Sequence, residues 1–186
     1  VAMYTTGNPF EGRQMQNLID AVAAGKPLVG IHGTTDNFAS PAIDPYLAML
    51  GGSFVVHREQ QKARQRVTSP KFPGVEKLGD GFEMEEEWYL LRGFAKDLHV
   101  ILMQETKGMK GDMYQRTPYP ATWARLHGKG RVFYTDLGHR EDVWDNPLVQ
   151  EIIKGGFGWA MKLVDAKIEP NLKQVTPDCD TLSAEL

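Results

Sequence analysis

His32 lies in the segment Gly30-Ile31-His32-Gly33-Thr34, where an apolar strand gives way to a glycine-flanked turn. A strand, a sharp turn and a helix in this order are typical of a nucleophile elbow, which projects one side chain from a sheet edge among backbone N–H groups. A histidine in that place can act as a general base, bind a metal or donate a hydrogen bond to a sugar hydroxyl. The competing interpretation is a histidine that only packs beneath the loop. The two adjacent glycines favour the functional interpretation because they allow close backbone approach.

Two further histidines end predicted strands. His139 closes the segment 135–139 after a strand that should be buried, so a parallel sheet would bring it to the same carboxyl edge as His32. The alternative for His139 is a helix-capping or loop residue. His57 ends another predicted strand, and for it a role in the site and an exposed strand end are equally open.

A run of acids precedes two aromatic residues. Glu85, Glu86 and Glu87 are followed directly by Trp88 and Tyr89. An acidic run is usually a solvated face, but burial of the aromatic pair would draw one carboxylate inside. A buried carboxylate is costly unless it has a partner, so it would need a histidine, an arginine or a metal. The sequence therefore predicts that one of these acids joins the histidines.

These residues together make one predicted site. Three imidazoles and a carboxylate can form a zinc-type site, although their long-range spacing matches no local signature such as His-Glu-x-x-His. A divalent metal such as zinc is therefore the one cofactor that the sequence suggests. Trp144 and Tyr119, in loops near the same edge, are either platforms that stack on sugar rings or core residues. The predicted catalytic residues are His32, His139 and Glu87; the predicted substrate contacts are Thr6, His57, Glu86, Tyr89 and Trp144; the predicted metal ligands are His32, His57, Glu87 and His139.

The elements that must position these residues are alternating strands and helices. Apolar runs predict strands at 1–4, 27–31, 53–57, 63–67 and 99–104, and a Gly-Lys-Gly turn predicts a hairpin of 121–127 with 131–135. Predicted helices run from Asn8-Pro9 to Gly25, from Asp44-Pro45 or Ser40-Pro41 to Gly51, and from Asn146-Pro147 through Val164. Segment 83–91 fits neither class. The alternation favours an α/β fold with a mainly parallel sheet and helices on both faces.

Composition limits the function only broadly. The 186 residues favour one domain, 1–170, followed by a C-terminal tail, 171–186. Lys and Arg total 21 against 24 Asp and Glu, and this net charge of -3 does not support nucleic acid or an anionic membrane surface as the main partner. No apolar run approaches the roughly 20 residues needed to cross a bilayer. The single cysteine, Cys179, excludes an internal disulfide, and localisation stays open between bacterial cytoplasm and export.

Several motifs occur in a characteristic order along the chain. They are Gly30-Ile-His-Gly33, Tyr46 to Gly52 with Phe54 and His57, Glu86-Glu-Trp-Tyr89, Pro120 with Trp123, Gly130-Arg-Val-Phe-Tyr-Thr135, Gly138-His139, and Gly156 with Trp159-Ala160. In this combination the sequence resembles the ThuA-like (trehalose-utilisation) family over residues 1–165. The resemblance implies a flavodoxin-like fold related to class I glutamine amidotransferases, with an N-terminal strand-helix-strand portion that this chain lacks. It also implies a role in carbohydrate metabolism with a small-molecule carbohydrate as partner.

The same resemblance bears on individual residues. His32 falls where an amidotransferase holds its nucleophilic cysteine, and His139 falls near the catalytic histidine of that fold. Because the only cysteine, Cys179, lies in the predicted tail, glutamine amidotransfer is not expected. The acidic motif of the family is more often Asp-Glu than the Glu86-Glu87 found here, which is a small departure at Glu86.

Two functions of different kinds fit these residues. In the first, the chain is a hydrolase or lyase that acts on a sugar or keto-sugar, and its histidines act as acid and base or bind a metal together with Glu87. In the second, the chain is a non-catalytic sugar-binding module, which predicts a shallow cleft lined by Trp144 and Tyr119 with the histidines far apart. A homo-oligomeric scaffold is a third interpretation, for which the sequence offers no positive feature.

Overall fold

The fold is built on strands that a computed structural model describes over residues 1–39 and 44–181. The strands are β1 (Ala2–Met3), β2 (Leu28–Ile31), β3 (Ser53–His57), β4 (Gln61–Val67), β5 (Gly81–Glu86), β6 (Tyr89–Arg92), β7 (His99–Gln104), β8 (Tyr119–His127) and β9 (Gly130–Thr135). The helices are α1 (Arg13–Ala23), α2 (Pro45–Leu50), α3 (Glu141–Asp145), α4 (Pro147–Ala160) and α5 (Leu172–Val175), and short 3-10 helices cover His32–Asp36 and Asp112–Tyr114.

Seven of these strands form one mixed sheet in the order β1-β2-β9-β8-β7-β4-β5, and β3 pairs with β6 in a separate two-stranded sheet. The predicted α/β class is confirmed. The parallel pairing expected for most of the sheet holds for β1, β2 and β9, whereas the remaining neighbours are antiparallel. For β8 and β9 the reason is their short connection, because a tight turn joins only antiparallel strands. The sheet therefore contains both parallel and antiparallel pairs of strands.

Helices cover both faces of the sheet, as predicted. Alternate residues of β9 point to opposite faces, so Val132 and Tyr134 join a core with α1 and α2 while Phe133 joins a core with α4. Gly156 of α4 makes this second contact possible, because a Cβ there would lie 2.3 Å from the Phe133 ring. Apolar residues therefore pack on both faces of β9, and this packing fixes the start of the loop that follows it.

Two helix boundaries differ from the prediction. The predicted start of α1 at Asn8 is wrong, because the N–H of Phe38 donates to the carbonyl of Gly7 at 2.9 Å and holds this stretch beside residues 37–38. The helix begins only at Arg13. At the other end of the chain, α4 stops at Ala160 rather than at Val164, because Lys162 adopts a left-handed φ of 62°.

Other elements follow the prediction. Asp44 caps α2 by accepting a hydrogen bond from the N–H of Tyr46 at 2.8 Å, while the alternative start at Ser40-Pro41 lies outside the described residues. Asn146 caps α4 in the same way. The hairpin of β8 and β9 is confirmed. Segment 83–91, which fitted neither class, contributes the end of β5 and the start of β6.

The C-terminal residues through 181 lie against the rest of the chain. Leu172 and Cys179 are buried in the core that contains α1 and α2. The Asn171 side chain bonds the backbone of β7, accepting from the N–H of Val100 at 2.6 Å, and Asp180 accepts from the N–H of Gly93 at 2.9 Å. Across residues 1–39 and 44–181, no helix is both long and apolar enough to span a membrane.

Candidate functional site

The turn after β2 presents His32. Its φ of 40° is unusual for a residue with a Cβ, and Gly33 follows it because a Cβ there would lie 2.8 Å from Cγ2 of Thr6 and 3.1 Å from the carbonyl oxygen of Thr5. The Thr34 hydroxyl closes the turn by accepting from the N–H of Ile31 at 3.0 Å and donating to the carbonyl of Met3 at 2.7 Å. The elbow geometry predicted for this segment therefore exists, with the imidazole held at the carboxyl edge.

The loop after β9 presents His139, and a buried carboxylate holds that loop. Glu86 is fully buried, and its Oε2 accepts from the N–H groups of Gly138 at 2.9 Å and His139 at 3.0 Å. Its Oε1 accepts from the N–H groups of Arg140 at 3.1 Å and Glu87 at 2.8 Å. Four backbone donors therefore satisfy this carboxylate, and Glu86 fixes the main chain at His139.

The two-stranded sheet brings the third histidine. His57 at the end of β3 pairs in register with Tyr89 at the start of β6. The Tyr89 ring lies between two imidazoles, with its centroid 4.0 Å from that of His32 and 5.9 Å from that of His57. The buried phenol ring thus sets the separation of the two histidines.

Glu87 is the centre of the cluster. Its Oε2 lies 3.3 Å from Nε2 of His32 and 3.1 Å from Nδ1 of His139, while its Oε1 lies 3.0 Å from Nδ1 of His57. Burial by itself would raise the pKa of Glu87, but the hydrogen bond with His32 and the charges of His139, His57 and His32 outweigh it and lower the pKa. The carboxylate is therefore held in its ionised form.

A second carboxylate lies deeper. Asp136 is fully buried, and its backbone carbonyl accepts from Nδ1 of His32 at 2.8 Å. Its side chain contacts the N–H of Tyr89 and the hydroxyl of Tyr134, both at 3.4 Å. Burial and the charge of Glu86 raise the pKa of Asp136 well above its ordinary range, although these contacts oppose the rise. Asp136 therefore anchors His32 through its main chain, and its side chain favours the protonated form.

A family model described as ThuA, trehalose utilisation, matches residues 1–160. The chain belongs to the ThuA family. This membership, expected from the sequence motifs, implies a role in carbohydrate metabolism. No match was found among curated proteins.

Solved structures share the fold of this ThuA chain. A ThuA-like protein from Bacteroides uniformis ATCC 8492 is 22% identical with a TM-score of 0.71, covering 92% of this chain and 72% of that chain. One from Parabacteroides merdae ATCC 43184 is 15% identical with a TM-score of 0.65, covering 90% and 72%. A β-galactosidase from Rahnella sp. R3 is 14% identical with a TM-score of 0.54, covering 81% of this chain and 21% of that chain. At these identities the likeness concerns the fold alone.

The ThuA chain brings most of the predicted site residues together. His32, His57, Glu87 and His139 converge, and Tyr89 packs among them. His32 and His139 both contact Glu87 Oε2, whereas His57 contacts Glu87 Oε1. The predicted contact Thr6 is exposed and packs on Gly33 below the turn. Glu86 has no exposed surface, so it serves the main chain and does not reach a substrate.

Aromatic residues frame the opening of the site. Trp144 is 36% exposed, and its indole N–H donates to the carbonyl of Gly138 at 2.8 Å. Tyr4, which the sequence analysis missed, makes an edge contact with Trp144 at a centroid distance of 5.6 Å. Burial and the charges of Glu86 and Glu87 raise the pKa of Tyr4. Tyr119, in contrast, is fully buried and donates to the carbonyl of Tyr89, so it lines no cleft.

Asp36 is a second residue that the sequence analysis missed. It ends the 3-10 helix that begins at His32. Burial raises the pKa of Asp36, while the charges of His57 and His32 oppose that rise. Asp36 lies four residues after His32 in the His-Gly-Thr-Thr-Asp segment, and that spacing was the signal available.

The donor atoms of the cluster are close enough to share one ion. One ligand atom each from His32, Glu87 and His139 lies within 4.8 Å of the others. Tetrahedral zinc with bonds of 2.0–2.2 Å needs ligand atoms about 3.4 Å apart. The His32–Glu87 and His139–Glu87 distances of 3.3 and 3.1 Å fit that requirement.

Two clefts of similar volume lie at different distances from the cluster. A cleft of about 580 Å³ lies between the end of β7 and residues 105–118, and no histidine lines it. A slightly smaller one, of about 510 Å³, is lined by His139. A ligand in the second cleft would contact His139, which belongs to the converging titratable groups around Glu87.

Proposed function

We propose that this ThuA chain is a carbohydrate-processing enzyme, a hydrolase or lyase that acts on a sugar or keto-sugar. In this proposal His32, Glu87 and His139 hold a divalent cation such as zinc, and His57 acts as the base. The observation that carries it is the environment of His32, whose two ring nitrogens both face oxygen atoms. The metal site and the reaction class belong to one proposal, because Glu87 would bind the metal and also lies against the base His57.

The hydrogen-bond inventory of His32 supports a cation. A neutral imidazole has one N–H and one lone pair. Nδ1 lies 2.8 Å from the Asp136 carbonyl, which can only accept, so the proton belongs on Nδ1. The lone pair of Nε2 then faces Glu87 Oε2 at 3.3 Å, which is unfavourable unless a positive charge lies between them. A histidine that donates one ring N–H to a backbone carbonyl and offers the other nitrogen is the usual arrangement of a metal ligand.

Such a cation, when bound, would polarise a carbonyl or hydroxyl oxygen of the sugar. The chain itself supplies the fixed donors. Glu86 holds the backbone of His139, and Asp136 orients His32, so two of the three ligands are positioned before any ion binds. Glu87 Oε2 is the atom that both imidazoles approach.

His57 is oriented to take a proton. Its Nδ1 lies 3.0 Å from Glu87 Oε1 and 3.3 Å from the backbone carbonyl oxygen of Arg58. Both oxygens can only accept, so the proton belongs on Nδ1 and the lone pair on Nε2. The side chain is 46% exposed, which gives a substrate access to that nitrogen. A ring carbonyl acidifies the adjacent C–H, and His57 Nε2 would remove that proton, so that the electron pair passes into an enolate. The carbonyl would re-form as the C–O bond at the β carbon breaks, and the leaving oxygen would take the proton back from His57. The carboxylate behind the imidazole stabilises the positive charge that results.

A metal-free version of the same chemistry is the second candidate. If His32 carries both ring protons, its imidazolium satisfies the Asp136 carbonyl and Glu87 without an ion, and the lowered pKa of Glu87 supports such an ion pair. The sugar-binding module has less support. It predicted separated histidines and a cleft lined by Tyr119, whereas the imidazoles converge and Tyr119 is buried.

Elemental analysis of zinc-loaded and washed protein separates these candidates. We expect one zinc per chain in the wild type, loss of that zinc in His32→Ala and His139→Ala, and retention in the matched variant His57→Ala. His57→Ala should instead lose turnover of a keto-sugar by at least about 100-fold, in line with general acid–base contributions. Zinc-free protein that turns over the keto-sugar would establish the acid–base version. Neither zinc nor turnover, with sugar binding retained, would favour the module.

A further inference from the structure

The cleft between the end of β7 and residues 105–118 is separate from the Glu87 cluster, because no residue of that cluster lines it. Its volume of about 580 Å³ lies in the range of sites for small organic molecules. Met103, Tyr114 and Pro118 give it an apolar wall. A ligand in this cleft would therefore have a carbon skeleton that packs on that wall.

The charged groups of the cleft are mostly cations. Arg66, Lys107 and Arg116 line it, and Glu105 is the one acid among the described residues that do so. Glu105 lies 3.5 Å from Nε of Arg66 and 3.8 Å from Nε of Arg64, both longer than a close ion pair of about 2.7–2.9 Å. Three cations against one acid leave a surplus of two positive charges.

Arg116 is half-buried and has no carboxylate partner among the described residues. Its Nη1 donates to the backbone carbonyl of Leu91 at 3.0 Å, its Nη2 donates to that of Cys179, and its Cζ lies 4.6 Å from the centre of the Tyr119 ring. Burial lowers the pKa of Arg116, although the charge of Asp180 opposes this.

Other half-buried arginines of the chain do have carboxylate partners. Three of them pair with an acid at 3.1 Å or less, namely Arg64 with Asp80, Arg125 with Asp97 and Arg131 with Asp165. A charge that is taken out of water without a counter-ion is costly. The lack of such an acid at Arg116 therefore points to an anionic ligand.

The size of the charge surplus favours a phosphate group. A phosphate monoester carries a charge of about -1.5 to -2 near pH 7, which nearly balances two positive charges, whereas a single carboxylate balances only one. Guanidinium groups also bind phosphate oxygens through two parallel N–H donors, and a lysine ammonium binds them as a point charge.

We propose that this cleft binds a small organic phosphate monoester. The phosphate would lie among Arg66, Lys107 and Arg116, and the organic part would pack on Met103 and Tyr114. The inference goes beyond the proposed function, because the ester occupies a second site and needs neither the metal nor the base of the cluster.

Titration calorimetry with phenyl phosphate, inorganic phosphate and benzyl alcohol tests the proposal, because the second probe lacks the ring and the third lacks the charge. We expect wild type to bind phenyl phosphate with a dissociation constant below about 1 mM. Binding of inorganic phosphate should be at least about tenfold weaker, since it loses the apolar contact. Benzyl alcohol should bind more weakly still.

Variants with single charge changes sharpen the test. Lys107→Gln should weaken phenyl phosphate binding about threefold or more, and Glu105→Gln should strengthen it about twofold or more, in line with the size of exposed charge interactions. Arg116→Lys keeps the charge without the paired donors and should weaken binding about fivefold. The matched control is Lys110→Gln, the same charge change at a residue that lines a different cleft.

The outcomes do not depend on the proposed metal site. Inorganic phosphate or benzyl alcohol that binds as tightly as phenyl phosphate overturns the proposal, and so does equal affinity in Lys107→Gln and Lys110→Gln. His139→Ala, which removes a proposed zinc ligand, should bind phenyl phosphate as wild type does. Loss of binding in His139→Ala would place the ester at the cluster and overturn the cleft, whereas the zinc content of Lys107→Gln reports on the metal site alone.

Discussion

Two neighbouring carboxylates at the end of β5 bind different kinds of partner. Glu86 is fully buried and accepts only backbone N–H groups, three of them from residues 138–140. Glu87, the next residue, faces three imidazoles. Consecutive side chains along an extended chain point in opposite directions, so one glutamate enters the loop behind the site and the other enters the site.

The comparison teaches that the partner, and not the residue type, decides the role. Glu86 acts on the position of His139 through the main chain, whereas Glu87 acts on the protons and lone pairs of the imidazoles directly. Replacing each carboxylate by its amide should therefore damage different properties. Loss of Glu86 should affect the fold of the loop first, and loss of Glu87 should affect binding first.

Glu87→Gln should give the largest effect. The amide removes the negative charge that three imidazoles approach and leaves one acceptor oxygen in place of two. We expect zinc affinity to fall by at least about 100-fold, since even outer groups of a metal site are worth 10- to 100-fold. Competition with a chelator measures the change, and Glu85→Gln, an exposed neighbour, is the matched control. Stoichiometric zinc retained at wild-type affinity in Glu87→Gln would contradict the assignment of Glu87.

Glu86→Gln should give a smaller loss of zinc affinity and a larger loss of stability. An amide offers one acceptor oxygen in place of two and adds an NH₂ group against backbone donors. Hydrogen bonds to a charged group contribute about 1.5–3 kcal/mol each, so we expect the free energy of unfolding to fall by about 2 kcal/mol or more. Zinc affinity should fall about tenfold because His139 is less well positioned. Urea denaturation that leaves the midpoint unchanged would show that the loop holds without this carboxylate.

Part of this contrast could be predicted from the sequence. The apolar strands and glycine turns before His32 and His139 predict that both histidines lie at one edge of the sheet. In the structure β2 and β9 are adjacent and parallel, as this prediction requires. Segment 83–91 resisted assignment because strand β5 ends inside it. Its alternation of buried Phe82, Met84 and Glu86 has the period of a strand, and that signal points Glu86 inward.

The remaining site residues could not be predicted from local pattern. His57 and Tyr89 meet only because β3 and β6 pair with each other outside the main sheet, across more than thirty intervening residues. Tyr4 contacts Trp144 and Asp36 ends a 3-10 helix, and no periodicity of the sequence reveals either position. Long-range strand pairing and turn geometry therefore decide which of many polar residues near an edge converge.

Asp136→Asn should change stability in the opposite direction from Glu86→Gln. A buried carboxyl group whose pKa is raised binds its proton more tightly in the folded chain, so wild-type stability is lost as pH rises above the ordinary value of 3.8. The amide keeps an acceptor for Tyr89 and carries no charge. We expect Asp136→Asn to unfold at equal or higher denaturant concentration than wild type at pH 8, with an advantage that shrinks on acidification. The stability of Asp136→Asn relative to wild type should be higher at pH 8 than at pH 5. The opposite order would contradict the raised pKa.

The smallest effect concerns the rate at which a thiol reagent modifies Cys179. We expect this rate to be the same in Glu86→Gln and Glu87→Gln. Burial and the charge of Asp180 raise the pKa of Cys179 to about 11, so its thiolate population at pH 8 is about 100-fold below that of an ordinary cysteine. Modification by a thiol reagent should therefore be slow in the native chain, fast in urea, and equally slow in Glu86→Gln and Glu87→Gln, because the core around Cys179 contains neither glutamate. If Glu86→Gln accelerates modification, its loss of zinc comes from general loosening of the fold, and the positioning of His139 by Glu86 is no longer needed to explain it.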